Sequence, residues 1–120
     1  MLNLDTHIVV SLLNRTLTAE EYRRIADEEL GVSDIALWEL AMLANDGRVA
    51  LDLDAHAFRI FIESVQVFPI TMEIARQSTQ LDFTSDPADE IIAATSIVEK
   101  VPLMTRDRRI RRSKMVPFAI

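Results

Sequence analysis

Cysteine is absent from the 120 residues, which removes disulfides and thiolate metal sites and fits a reducing cytosol. Glycine occurs only twice while 49% of the residues are hydrophobic, so the chain is not of the disordered class. No apolar run reaches the length that crosses a bilayer, and the N-terminus lacks a basic stretch followed by an apolar one. A soluble, cytoplasmic protein with no membrane association is expected. No repeat, linker or low-complexity tract interrupts the sequence, and its length predicts one domain over residues 1–120 with a core of its own. Cations are outnumbered: 13 Lys+Arg against 19 Asp+Glu give a net charge of −6, which argues against broad nonspecific binding to nucleic acid.

The cations that are present crowd together. Arg106, Arg108, Arg109, Arg111, Arg112 and Lys114 are 6 of the 13 basic residues and fall within a few positions of Asp107. They form either a solvated helix face or a rim that holds phosphate beside an acidic pocket.

Short apolar runs alternate with helical patterns, which predicts an α/β fold with a doubly wound, mostly parallel sheet. Met1-Leu2-Asn3-Leu4 reads as a first strand ending in Asp5-Thr6-His7, with a helix opening at Ile8. Thr18-Ala19-Glu20-Glu21 has the capping-box pattern, Tyr22, Ile25, Ala26 and Leu30 supply a buried stripe, and Gly31 marks that helix's end. Leu30 to Ser33 is also a weak second-strand candidate. Ile35 to Leu43 is an apolar helix with one acid, Glu39, next to Trp38, which is assigned to the core. Asn45-Asp46-Gly47 ends it. Asp54 caps the next helix, with Ala57, Phe58, Ile60, Phe61, Ile62 and Val65 inside and His56 on its surface. Val67 to Ile70 is a third strand, placed at an edge by Pro69. Thr71 caps a helix that runs to Leu81, and Val116 to Ile120 is a last strand, again with an edge proline.

The segment from Asp86 to Asp107 organises the rest. Asp86 as N-cap and Pro87 at the first helical position open a helix, Ile91, Ile92, Ala94, Thr95 and Val98 form its apolar stripe, and Lys100 suits the dipole in its last turn. Val101-Pro102-Leu103-Met104 is a buried strand with Asp107 just beyond it. Asp5 and Asp107 thus follow strands, whereas Glu39 and Asp89 sit near helix starts. In an open α/β sheet those places reach one crevice. Two carboxylates about 4 Å apart repel by about 4 kcal/mol at an effective dielectric of about 20, so such a cluster calls for protons or a cation. Oxygen ligands alone favour Mg²⁺ or Mn²⁺, and a carboxylate cage around such an ion suits phosphodiester hydrolysis.

Four stretches carry a resemblance: Leu4-Asp5-Thr6-His7; Ser33-Asp34-Ile35-Ala36-Leu37-Trp38-Glu39-Leu40; Asp86-Pro87-Ala88-Asp89 with Ile92-Ala93-Ala94-Thr95; and Pro102-Leu103-Met104-Thr105-Arg106-Asp107. In that order and spacing the chain resembles a PIN-domain ribonuclease of the VapC toxin type. The resemblance implies a PIN-like fold with five strands in the order 3-2-1-4-5. It also implies that Asp5, Glu39, Asp89 and Asp107 hold Mg²⁺ or Mn²⁺ for in-line cleavage of RNA. Thr105, and less strongly Thr6, match hydroxyl positions near the ion, and His7 is a hydrogen-bonded support. Arg108, Arg109 and Arg112 are candidate RNA contacts. The family further implies a toxin role, a small antitoxin partner and a homodimer. Where relatives often carry Arg after the third acid, this chain has Glu90. The alternatives are a PIN-type nuclease of RNA processing or structured DNA without a toxin role, and a non-enzymatic interaction module.

Overall fold

The computed structural model describes residues 1–120. Strand β1 (Leu2–Leu4) leads through α1 (Thr6–Leu13) and α2 (Ala19–Ile25) to β2 (Leu30–Ser33). Then follow α3 (Asp34–Asn45), α4 (His56–Ser64), β3 (Gln66–Phe68), α5 (Met72–Ser78), α6 (Pro87–Glu99), β4 (Leu103–Met104) and α7 (Arg108–Arg111). The sheet is parallel with order β3-β2-β1-β4. The chain therefore builds outward from β1 to β3 on one side and then returns to place β4 on the other. That reversal opens a crevice beyond the carboxyl ends of β1 and β4.

The sheet has four strands, not the expected five. The final segment adds one parallel bridge, Phe118 to Leu103. Leu103 N–H donates to Pro117 O at 2.8 Å and Ala119 N–H to Leu103 O at 2.9 Å. Pro117 has no N–H to extend the ladder, and Arg111 takes the Ile120 carbonyl at 2.8 Å. The order 3-2-1-4 is preserved, and the fifth position is a strand reduced to one residue.

Leu2, Leu4, Val32, Leu103 and Met104 line the sheet, and Ile8, Leu40 and Ile92 are buried from α1, α3 and α6. Helix α6 buries Ala88, Ile92, Ala93, Ala94, Thr95 and Ser96; its small residues allow close approach, and Asn3 Nδ2 bonds Ile92 O at 3.2 Å and Ser96 Oγ at 2.9 Å.

Several local expectations are corrected. Gly31 lies inside β2, not at a helix end: a Cβ there would meet the Phe68 ring at 2.5 Å, so the residue is glycine to admit a neighbouring side chain. Helix α2 ends instead at Ala26, and its Tyr22 is exposed. The residue capping α4 is Ala55, with no side-chain bond; Asp52, not Asp54, accepts the local N–H. Ile60 on that helix is exposed. Helix α5 stops at Ser78, short of Leu81, and Lys100 adopts the left-handed conformation as the C-cap of α6. Trp38 is 55% exposed and not core.

Candidate active site

Asp5 follows β1 directly and caps α1. Its Oδ1 accepts from Thr6 N–H at 2.8 Å, and its Oδ2 accepts from Thr105 Oγ1 at 2.6 Å. The side chain is thus held from the start of one helix and the end of another strand. Burial raises its pKa against the pull of those two bonds. Thr6 Oγ1 donates to Glu39 Oε1 at 2.5 Å, so the hydroxyl of one segment orients the acid of the next. Glu39, half-buried on α3, is raised chiefly by burial, with the charge of Asp5 adding to it.

Asp89, in the first turn of α6, accepts from Ser85 Oγ at 2.8 Å. Burial, then the charges of Asp5, Glu39 and Asp107, push it up to about 6. Asp107 caps α7: its Oδ1 accepts from Arg109 N–H at 2.8 Å and Ile110 N–H at 3.1 Å. Its own N–H donates to Thr105 Oγ1 at 3.0 Å. The four acids therefore act on one another across four elements. No three of them stand ready-made in an arrangement that would hold an ion directly.

The hydroxyls of Thr6 and Thr105 each hold one of the acids, Glu39 and Asp5. His7 differs from the expected support: it is exposed, makes no hydrogen bond with its ring, and lines the hollow of about 350 Å³ shared by Asp5, Ser11, Arg106 and Asp107. The basic cluster divides. Arg106 clamps Glu21 through Nε at 2.8 Å and Nη2 at 2.6 Å, and reaches Ser11 Oγ at 3.2 Å. Glu21, also the capping-box acid of α2, is held at about 2 chiefly by that guanidinium. Arg111 bonds the Thr105 and Ile120 carbonyls and lies 5.2 Å from the Phe118 ring centre. Arg108, Arg109 and Arg112 are exposed and use their side chains in no ion pair or hydrogen bond within the chain.

Three participants escaped sequence reasoning. Ser85 gave no pattern of its own: it lies just before the N-cap of α6 and reaches Asp89 in the first turn. The Arg106–Glu21 pair joins residues far apart in sequence, which no local pattern reveals. Asp86 holds the N-cap position but makes no capping bond, so its carboxylate is free, and its charge reaches Glu39.

The family model described as PIN domain matches residues 3–114. The chain belongs to the PIN-domain family. Ribonuclease VapC22 of Mycobacterium tuberculosis (strain ATCC 25618 / H37Rv) is 37% identical over 87 residues, covering 70% of this chain and 67% of that protein. Among solved structures, VapBC2 from Rickettsia felis bound to a promoter DNA fragment superposes with a TM-score of 0.75 at 18% identity, over 98% of this chain and 97% of that one. A toxin–antitoxin complex from Klebsiella pneumoniae gives 0.74 at 19% identity over 100% and 98%. At those identities the two structures speak to the fold, and they agree with the PIN topology described above.

Proposed function

We propose that this PIN-domain protein is a metal-dependent endoribonuclease acting as the toxin of a toxin–antitoxin pair, with Asp5, Glu39, Asp89 and Asp107 as its metal-holding acids. The observation that carries the reading is the gathering of these acids from four elements: Asp89, pushed up to about 6 first by burial, also feels the charges of the other three. A divalent cation offsets those charges, and the donor set fits it, since hard carboxylate oxygens suit Mg²⁺ or Mn²⁺. When bound, the ion supplies an activated water and draws charge from the phosphate oxygens.

The chain's own residues do the rest. Thr105 and Thr6 N–H fix both oxygens of Asp5, Thr6 Oγ1 fixes Glu39, and Ser85 fixes Asp89. Each bond removes rotamer freedom from an acid before substrate arrives. Arg108, Arg109 and Arg112, exposed and unpaired on the element that begins with Asp107, hold the RNA backbone. The free Asp86 adds negative charge near Glu39, which raises that acid's pKa a little beyond what burial does.

The toxin role and the antitoxin rest on the relatives: one named a ribonuclease VapC, one solved as a toxin–antitoxin complex. The net charge of −6 favours a partner segment that brings an Arg to the acids. A homodimer is supported by Val67, Ile70 and Met72, exposed along and beyond the edge strand β3. The test is cleavage of single-stranded RNA by the purified chain with Mg²⁺ or Mn²⁺, abolished by chelation and by Asp5→Asn, together with growth arrest when the chain is expressed without its partner. Metal-independent cleavage, or none from folded protein, would overturn the reading.

A further inference from the structure

Trp38 is the chain's single tryptophan, and it stands 55% exposed one residue from Glu39. Met42, one turn further along α3, is 44% exposed on the same face. Behind them lies a cavity of about 290 Å³, lined also by Glu39, Arg48, Asp86 and Pro87. Glu39 thus belongs both to the acidic site and to the wall of this cavity. The volume is at the small end of single-ligand pockets, roughly 300–1,000 Å³, which suits one flat heterocycle and not a helix. We propose that Trp38 and this cavity form a subsite for one unpaired nucleobase of a single-stranded RNA, beside the phosphodiester that the acids act on.

The three parts of a nucleotide each meet a match. The indole offers a stacking face. The Asp86 carboxylate, free of any capping bond, accepts from the N–H groups on a base edge. Arg48, exposed at the rim and only loosely paired with Asp46 at 3.8 Å, is placed for the adjoining phosphate. An arginine from a protein partner would use the indole and the carboxylate but would leave Arg48 opposed by like charge.

The inference rests on the nuclease reading, and the test separates the two. The full chain, in chelator, is titrated with a short single-stranded oligoribonucleotide and with a duplex of the same sequence while its one tryptophan is watched by fluorescence. Quenching by the single strand and not by the duplex is expected. In cleavage assays with Mn²⁺, Trp38→Ala raises KM about tenfold or more, the effect of one lost stacking contact, while Trp38→Phe keeps most of the affinity. Because the side chain is exposed, both variants keep the wild-type unfolding midpoint. A wild type that cuts RNA while fluorescence and the KM of Trp38→Ala stay unchanged overturns the subsite and leaves the nuclease reading standing. A wild type that neither binds nor cuts RNA overturns both. Unchanged RNA kinetics with lost affinity for a protein partner gives the surface to that partner and overturns the base subsite.

Discussion

A carboxylate that titrates at about 6 instead of 3.8 is partly protonated in mildly acid solution, and Asp89 is such a group. Between those values the folded chain binds more protons at this position than the unfolded chain does, so its contribution to stability falls as pH rises through that window. Asp89→Asn therefore raises the thermal midpoint at pH 8 in the absence of metal, and the gain disappears near pH 4; midpoints measured at both pH values check this. Cleavage responds in the opposite sense. If the acids hold a cation as proposed, the ionised form is the one required, so the rate falls toward acid pH, and a pH–rate profile reads it directly. Thr105→Val removes the hydroxyl from Asp5 Oδ2, and a cut in activity or ion affinity of about 10- to 100-fold is expected, measurable by single-turnover cleavage and by ion titration. Sequence could nominate Asp5, Asp89 and Asp107 because each stands at a strand end or a helix start; Glu39, expected near a helix start, lies in the middle of α3 and was nominated by the motif around it. Sequence could not place Trp38. The buried residues of α3 are Ala36 and Leu40, and a position two residues from each lies on the opposite face at helical spacing. The helix is so apolar all round that its periodicity fades, and the exposed side reads as core.

At the scale of elements, the Arg106–Glu21 clamp fastens α2 to the connection between β4 and α7, the connection that carries Thr105 and Asp107. Glu21, held at about 2 against 4.5 unfolded, contributes stability that is complete above the unfolded value and is lost as pH falls toward 2. Arg106→Ala is expected to cost about 2 kcal/mol, the weight of a charge-assisted hydrogen bond, and to reduce that acid-side dependence to the part that the Thr18 bonds to Glu21 keep; urea unfolding at pH 7 and pH 3 measures both. Gly31→Ala forces a Cβ toward the Phe68 ring and is expected to cost about 1–3 kcal/mol, read as a lower urea midpoint. The strands were hard to bound from sequence because they are two to four residues long, too short for a period to declare itself. The last strand was over-counted for a related reason: its apolar content promises a ladder that Pro117 cannot supply. Helix starts marked by Thr18 and Thr71 were legible because capping chemistry is local, and that of α6 because Pro87 suits the first helical position, although Asp86 makes no capping bond.

Over the whole molecule, the convergence of the acids follows from strand order, since a reversal at β1 brings the ends of β1 and β4 together whatever lies between them in sequence. Four short motifs in register foretold that arrangement; no single one did. The same sheet leaves β3 as an open edge with Val67 on it and Ile70 and Met72 beyond. Val67→Lys with Met72→Glu is expected to shift a dimer to monomer in sedimentation, while a chain that sediments as monomer from the start removes the dimer proposal. The acids make a further global prediction. Their mutual repulsion is a cost borne by the folded state alone, because the unfolded chain separates them. A cation that binds only the folded form adds about 1.4 kcal/mol at ten times its Kd, which for a chain of 120 residues corresponds to about 3–6 °C in midpoint. Mg²⁺ or Mn²⁺ should therefore raise the midpoint of the wild type in a concentration-dependent way. Asp89→Asn, which has already shed its own share of the repulsion, should begin from a higher midpoint without metal and gain less from the ion. If both proteins rise equally, the ion is bound elsewhere; if neither moves at millimolar metal, these four carboxylates do not form its site.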